Sequence, residues 1–352
     1  MMDAFTYTAL PARVVFGTGT LGRIPEELRK LGCERALVLS TPEQQDAAQN
    51  IASLLGELCA GVFTQAAMHT PVEVTERAME VVAKVRADCT VAIGGGSTTG
   101  LGKAIALRAD LPQVVVPTTY AGSEATPILG ETQQGRKTTQ RSLKVLPELV
   151  VYDVNLTLTL PARLSATSGI NAIAHAVEAL YTQDANPVIS MMAERGIEAL
   201  ARSLPPIMKN PSDKAARTEA LFGAWLCGVC LGAVGMALHH KLCHTLGGSF
   251  NLPHAETHTV VLPHAVAYNS TAAPEAMATI ARALGSANAA QGLFDLALSL
   301  GAPTALKQIG MLESGIDRAA DLATSAPYWN PRPIDRTGIR ALLDDAFHGK
   351  RP

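Results

Sequence analysis

Aromatic residues are scarce in this chain (4%), and so are charged ones (17%), whose signs nearly cancel to a net −2 over 352 residues. A nucleic-acid partner needs a basic stripe, so none is expected. Few rings and abundant Gly and Ala favour close approach of backbone to a small ligand over an aromatic binding surface. The six cysteines, at 33, 59, 89, 227, 230 and 243, show no disulfide spacing and suit a reducing compartment. Cys227 and Cys230 form a C-x-x-C inside an apolar stretch with no second pair, and read as buried small hydrophobes.

The opening MMDAFTYTALPARVV carries Asp3 and lacks a basic segment followed by an apolar run. No secretion signal is expected there, and the cytoplasm is the expected location. Long apolar runs are also missing, with one exception: residues 221–238 contain no charge. That length imitates a membrane span. Gly223, Gly228, Gly232 and Gly235 and the absence of flanking aromatic or basic clusters argue instead for a central buried helix, carrying His239 and His240 inward, with no membrane involved.

A chain this long is expected to form two domains, divided as 1–160 and 161–352. In the first, the β-branched runs ARVVF, ERALVLS, VFTQA, CTVAIGG, QVVVPTT and LVVYD alternate with helix-length segments, which implies an α/β domain with a mostly parallel sheet. After Pro161, suited to a first helical turn, the β-branched runs stop. The second half reads as all-α, with breaks near Pro205, Pro211, Pro253, Pro263 and Pro303 and irregular turns at SFNLPHAETH and SAPYWNPRP. A cleft between two such domains is a usual place for chemistry.

Two glycine-rich segments compete for a dinucleotide phosphate. Gly17-Thr18-Gly19-Thr20-Leu21-Gly22 fits G-x-G-x-x-G, yet the next strand ends in Leu39-Ser40-Thr41-Pro42 without the acidic residue the motif needs. It is read as a turn only. In VAIGGGSTTGLGKAIA, Gly94, Gly95 and Gly96 end an apolar strand and Ser97 opens a helix, so backbone N–H groups and the helix dipole can meet a pyrophosphate. Thr118 and Thr119, at the end of the following strand, can offer hydroxyls to ribose or phosphate. With Ser40 and Thr41 where an acidic residue would repel a 2′-phosphate, both NADH and NADPH are expected to serve.

Asn171 and His175 stand one helical turn apart in SGINAIAHAVEALY, a ligand pair by geometry. HHKLCHTLGGSFNLPH adds His239, His240, His244 and His254. Five of the nine histidines fall in these two segments, while His239, His258 and His264 are read as packing residues.

GGGS after a strand, PTT after the next, the pair in NAIAHAVEA and the histidine group together resemble the iron-containing (group III) alcohol dehydrogenase family over nearly the whole chain. The resemblance implies a nucleotide-binding α/β domain, a helical C-terminal domain in an architecture shared with dehydroquinate synthase, and a divalent metal held by one Asp and three His. Matched by motif, those places fall on Asn171, His175, His240 and His254, and His244 falls where the family has a histidine close to the nicotinamide. GGGSTTGLGKAIAL, PTTYAGSEATP, SGINAIAHAVEALY and LPHAETHTVVLPH are similar to the maleylacetate-reducing branch, whose members act with NADH or NADPH and look metal-independent. Asn171 for the aspartate, Gly100 for an acidic residue and Ala255 for a frequent glycine point the same way.

An amide oxygen is a poor ligand for iron or zinc, although three histidines can hold zinc when their supporting groups are right. The expectation is a site that works without metal. If a metal is held, Asn171, His175, His240 and His254 hold it. The implied substrate, a small unsaturated dicarboxylate with chlorinated forms conceivable, accumulates enolate charge that hydrogen-bond donors can stabilise. His244, His175, His240 and His254 are the expected catalytic groups. Arg136, Lys137, Lys241 and Arg332 are candidates for its carboxylates, with Lys137 preferred because the matching family segment approaches the active site. Tyr120 and Tyr328 can add hydroxyls. A homodimer is implied by resemblance alone. The competing classes are a metal-dependent alcohol dehydrogenase of the same family, a lyase of dehydroquinate synthase type that consumes no NADH overall, and a non-catalytic NAD-binding sensor, which has no use for clustered histidines.

Overall fold

The computed structural model describes residues 4–10, 12–134 and 136–352, the side chains of Arg136 and Lys137 lying outside the described residues. The chain divides into two compact units, Ala9–Leu160 and Pro161–Pro352, the second also taking in the described residues before Ala9.

In the first unit the strands are β1 (Arg13–Gly17), β2 (Ala36–Leu39), β3 (Cys59–Phe63), β4 (Cys89–Gly94), β5 (Gln113–Pro117), β6 (Ile128–Gln133), β7 (Arg136–Arg141) and β8 (Leu149–Asp153). Six of them form one parallel sheet in the order β1-β8-β5-β4-β2-β3. The four inner strands are buried along their whole length, which is why they read as unbroken apolar runs. The helices are α1 (Ile24–Lys30), α2 (Gln45–Leu55), α3 (Val72–Val85) and α4 (Gly96–Ala109).

The strand period of two sorts side chains between the faces. Val38, Val91, Ile93, Val114 and Val116 pack with Ile24, Leu28, Ile51 and Leu55 of α1 and α2. Leu37, Leu39, Ala92 and Val115 pack with Ala78, Val82, Leu101 and Ile105 of α3 and α4. Because β3 lies outside β2 while β4 lies inside it, the chain reverses direction across the sheet between β2 and β4, and the carboxyl ends of those strands form the crevice where such sheets bind ligands.

β6 and β7 make an antiparallel hairpin in which Thr132 faces Lys137. The stretch GRKTTQRSLK, read only as a source of cations, is therefore partly a strand. Its Thr, Gln and Arg residues give no apolar alternation from which pairing can be read.

The second unit is built from α5 (Ala162–Ala179), α6 (Pro187–Lys209), α7 (Lys214–Ala233), α8 (Leu238–Phe250), α9 (His254–Asn269), α10 (Pro274–Leu284), α11 (Ala289–Ser299), α12 (Ile316–Thr324) and α13 (Arg336–His348). Every residue of α5 from Ser165 to Ala179 is buried. Two expected breaks are absent, since α6 runs through Pro205 and Pro206 and α9 through Pro263. A proline inside a helix costs about 3 kcal/mol; burial of the surrounding face, including Ser203, Leu204 and Ile207 in α6 and residues 257–266 in α9, offsets it.

Residues 221–238 are not one helix. α7 stops at Ala233, and the chain turns through 95° before α8. The turn is fixed by the Gly235 N–H donating to Asp184 Oδ2 at 3.1 Å and by Glu178 at the start of α8, so α8 and not the preceding apolar helix carries His239 and His240. Cys227 and Cys230 are buried within α7, where the Cys227 sulfur fills the hollow left by Gly196. Among the described residues no single helix is long and apolar enough to cross a membrane.

Candidate active site

At the carboxyl ends of β2 and β4 the residues expected to meet a nucleotide are placed by the backbone. Gly94 has φ +152° and a side chain there would stand 2.5 Å from Thr98 Oγ1, so only glycine fits. A Cβ on Gly95, the N-cap of α4, would lie 3.1 Å from Thr119 Cγ2. Gly96 opens the helix exposed and Ser97 follows half-buried, which leaves first-turn N–H groups without helical acceptors. Thr118 Oγ1 accepts from Gln44 Nε2 at 2.9 Å and keeps its own proton to donate. Gln44 thus ties the β2 side of the crevice to the β5 side, a role that nothing in PEQQ announces. Thr41 is half-buried, whereas Ser40 is fully buried with its hydroxyl donated to Thr41 O at 3.0 Å.

The Gly17–Gly22 segment is a turn. Its Gly19 and Leu21 N–H groups both donate to the Asp153 carboxylate at 3.0 Å, so the amides a phosphate would use are already engaged. Lys103 is wholly buried, donating to Ser123 O and Thr126 O at 2.6 Å and to Thr126 Oγ1 and Ile128 O at 2.9 Å. Desolvation lowers its pKa to about 7, against the opposing pull of Glu124.

In the helical unit, three helices bring six imidazoles together. α5 supplies Asn171, His175 and Glu178, α8 supplies His239, His240 and His244, and α9 supplies His254 and His258. The rings of His175 and His240 stack at 5.2 Å, and His244 lies 6.2 Å from His240. His254, exposed at the first position of α9, lies 4.4 Å from His258, whose ring is 5.1 Å from that of His240. His258 and His239 are therefore members of the cluster as well as core residues, joined by a 2.9 Å contact from His239 Nε2 to His258 Nδ1. The spacing of four between His254 and His258 was the available sign, since it puts both on one helical face. His264 makes no such ring contact among the described residues and packs as expected.

Burial is the main reason that His175, His239 and His258 are held well below the usual histidine pKa, with repulsion from neighbouring imidazoles adding to it. These rings are neutral at pH 7, each with one N–H and one lone pair. Asn171 Oδ1, His175 Nδ1, His240 Nε2 and His258 Nε2 are buried without a partner among the described residues. Sequence reasoning missed Glu178: wholly buried, it accepts from Ala237 N–H at 2.9 Å and His239 N–H at 2.7 Å and lies 2.7 Å from His240 Nδ1.

Among candidate carboxylate binders, Lys241 sits over the Tyr328 ring at 5.6 Å, and the Tyr328 hydroxyl is buried without a partner. Arg332 is stacked on Tyr268 at 4.0 Å and donates to Tyr268 O, so its guanidinium is largely engaged. Tyr120 is wholly buried. The side chains of Arg136 and Lys137 fall outside the described residues.

Residues 11–154 match the family model for iron-containing alcohol dehydrogenase, and residues 165–347 match that for the C-terminal part of the same family. The chain is 58% identical to a maleylacetate reductase of Rhizobium sp. (strain MTP-10005), covering all of both chains. The crystal structure of a maleylacetate reductase from Agrobacterium tumefaciens is similar with a TM-score of 0.98 at 58% identity over all of both chains. An iron-containing alcohol dehydrogenase from Corynebacterium glutamicum is similar with a TM-score of 0.94 at 43% identity, covering 99% of this chain and 98% of that one.

Proposed function

We propose that this chain, which belongs to the iron-containing alcohol dehydrogenase family, is an NAD(P)H-dependent oxidoreductase that reduces the carbon–carbon double bond of maleylacetate to give 3-oxoadipate. The observation that carries the chemistry is the buried cluster of neutral imidazoles with an uncharged amide, Asn171, at the position the family gives to a carboxylate. Bound reduced nicotinamide supplies a hydride to the alkene carbon remote from the ketone, and the negative charge spreads into an enolate. The first-turn amides of α4 and the Thr118 hydroxyl hold the cofactor's phosphates and ribose, with glycine at 94 and 95 keeping the backbone open to them. Imidazole N–H groups of His175 and His254 donate to the substrate's oxygens, each such preorganised donor contributing about 10²–10³ in rate. His244 delivers the proton that completes the saturated carbon. Lys241 takes a substrate carboxylate. Chlorinated substrates and a homodimeric assembly belong to the same proposal.

A metal-dependent alcohol dehydrogenase is the second reading, and one observation favours it. The orphaned Asn171 Oδ1, His175 Nδ1 and His240 Nε2 fit the donor set of a divalent ion, with His254 as a further ligand. Such an ion would supply Lewis-acid polarisation of a substrate oxygen. Exhaustive chelation with NADH and maleylacetate present decides between them: undiminished loss of NADH absorbance supports the first reading, and abolished turnover restored by iron or zinc supports the second. No NADH consumption from maleylacetate in either metal state removes the first reading, and no NAD+ reduction with alcohols in the presence of iron or zinc removes the second.

A further inference from the structure

Glu178 is wholly buried, and among the described residues no Lys or Arg pairs with it. A buried carboxylate survives in that state only when hydrogen bonds replace its water. It has three. Oε1 accepts from the His239 N–H and Oε2 from the Ala237 N–H, two first-turn donors of α8 that Ala237, as N-cap, has no side-chain oxygen to satisfy. The third contact is His240 Nδ1 on Oε2 at 2.7 Å.

A carboxylate can only accept, so the proton between them belongs to Nδ1. In the neutral form of the ring the lone pair is then on Nε2, the atom that is buried with no partner among the described residues. We infer that Glu178 is a positioning residue: it fixes His240 with the proton on Nδ1 and reserves the Nε2 lone pair for a donor hydrogen or a metal ion, while locking the same helix end that carries the ring. His240 is thereby separated from the donors of the cluster. The inference rests on the proposed reaction only for its kinetic consequence, since the tautomer follows from the protein alone.

Glu178→Gln keeps the side chain's shape but exchanges one acceptor oxygen for an NH2. Three donors then face one oxygen, and His240 is favoured in the opposite tautomer, its bare Nδ1 accepting from the amide. Long-range 1H–15N correlation of 15N-histidine-labelled protein, with His240 assigned by its loss in His240→Gln, is expected to show a protonated Nδ1 and a bare Nε2 in the unaltered chain. Glu178→Gln should lower kcat about 10–100-fold, the usual effect of losing such a support, with KM for NADH unchanged. In the His240→Gln background the same change should leave kcat where His240→Gln alone puts it. A bare Nδ1 in the unaltered protein overturns the inference, as does an equal loss of kcat in both backgrounds, which would mean that Glu178 acts through the fold alone. Should Glu178→Gln fail to fold, the tautomer of the unaltered protein decides. If the tautomer is as expected but maleylacetate is not reduced, the inference stands and the proposed function falls.

Discussion

Mild acid is expected to unfold the helical unit, and the histidines set how steeply. His175, His239 and His258 are kept neutral chiefly by burial, and burial lowers His264 to about 4. In the unfolded chain each titrates near 6.5. Below that value the unfolded state binds protons that the folded state refuses, so stability is complete above about pH 7 and is lost as pH falls through 6.5 towards the folded values. Each ring contributes a slope of about 1.4 kcal/mol per pH unit, and four together about 5. Integrated from pH 7.5 to 5, the loss is about 8 kcal/mol, comparable with the whole stability of a typical domain at roughly 5–15 kcal/mol. This window lies above the ordinary range of carboxylates; Lys103, lowered to about 7, protonates at its upper end but belongs to the other unit, so the slope is read on the transition of the helical unit. Denaturant unfolding of chelator-treated protein at half-unit pH steps, followed by far-UV circular dichroism, measures the slope. A value near 1.4 kcal/mol per unit, one histidine's worth, would refute the claim that four rings are buried neutral.

Three other outcomes are expected. Lys103→Met leaves four oxygens on the 123–128 turn without their shared donor; stability should fall by about 3 kcal/mol, read by denaturant melts, with KM for NADH raised more than KM for maleylacetate. NADH and NADPH should both support turnover with kcat/KM values within about a hundredfold, a difference of roughly 2.7 kcal/mol, because no carboxylate ends β2; a larger preference in initial-rate assays contradicts this. Asn171→Asp should raise retention of zinc or iron, measured by elemental analysis after gel filtration, while lowering kcat of the metal-free protein at least about tenfold through loss of the neutral pocket; unchanged metal-free turnover would remove Asn171 from the argument.

Strands buried on both faces were legible in the sequence because their signal is local: an apolar run such as QVVVP needs no partner to identify it. The hairpin of β6 and β7 was not, since its polar alternation acquires meaning only through pairing. Proline was misleading at 205 and 263 for the converse reason, its local penalty being outweighed by tertiary burial that a single sequence does not display. In the proposed site, Asn171, His175, His240 and His254 are picked out by residue type and spacing. Glu178 was hidden in plain view one turn beyond His175, because its partners stand 59 to 62 residues away and its role depends on how α8 begins. The decoy at Gly17–Gly22 shows the same limit from the other side: its pattern is correct, yet Asp153, more than 130 residues on, occupies its amides.

In the proposed reaction Asn171 acts through the charge it lacks. A carboxylate there suits a divalent cation, whose charge it partly offsets, but in a pocket of neutral imidazoles it would face an anionic substrate unshielded. Two unit charges about 5 Å apart at an effective dielectric of about 20 repel by roughly 3 kcal/mol, enough to cancel what one well-placed donor contributes to the transition state. An amide keeps the hydrogen-bonding shape and removes that repulsion. Glu178 does not restore it, since its charge is spent on two backbone donors and a ring proton, directed away from Nε2. Under the proposed reaction, neutral rings, a neutral amide and a sequestered carboxylate together suit a dianion that gains further charge as it reacts.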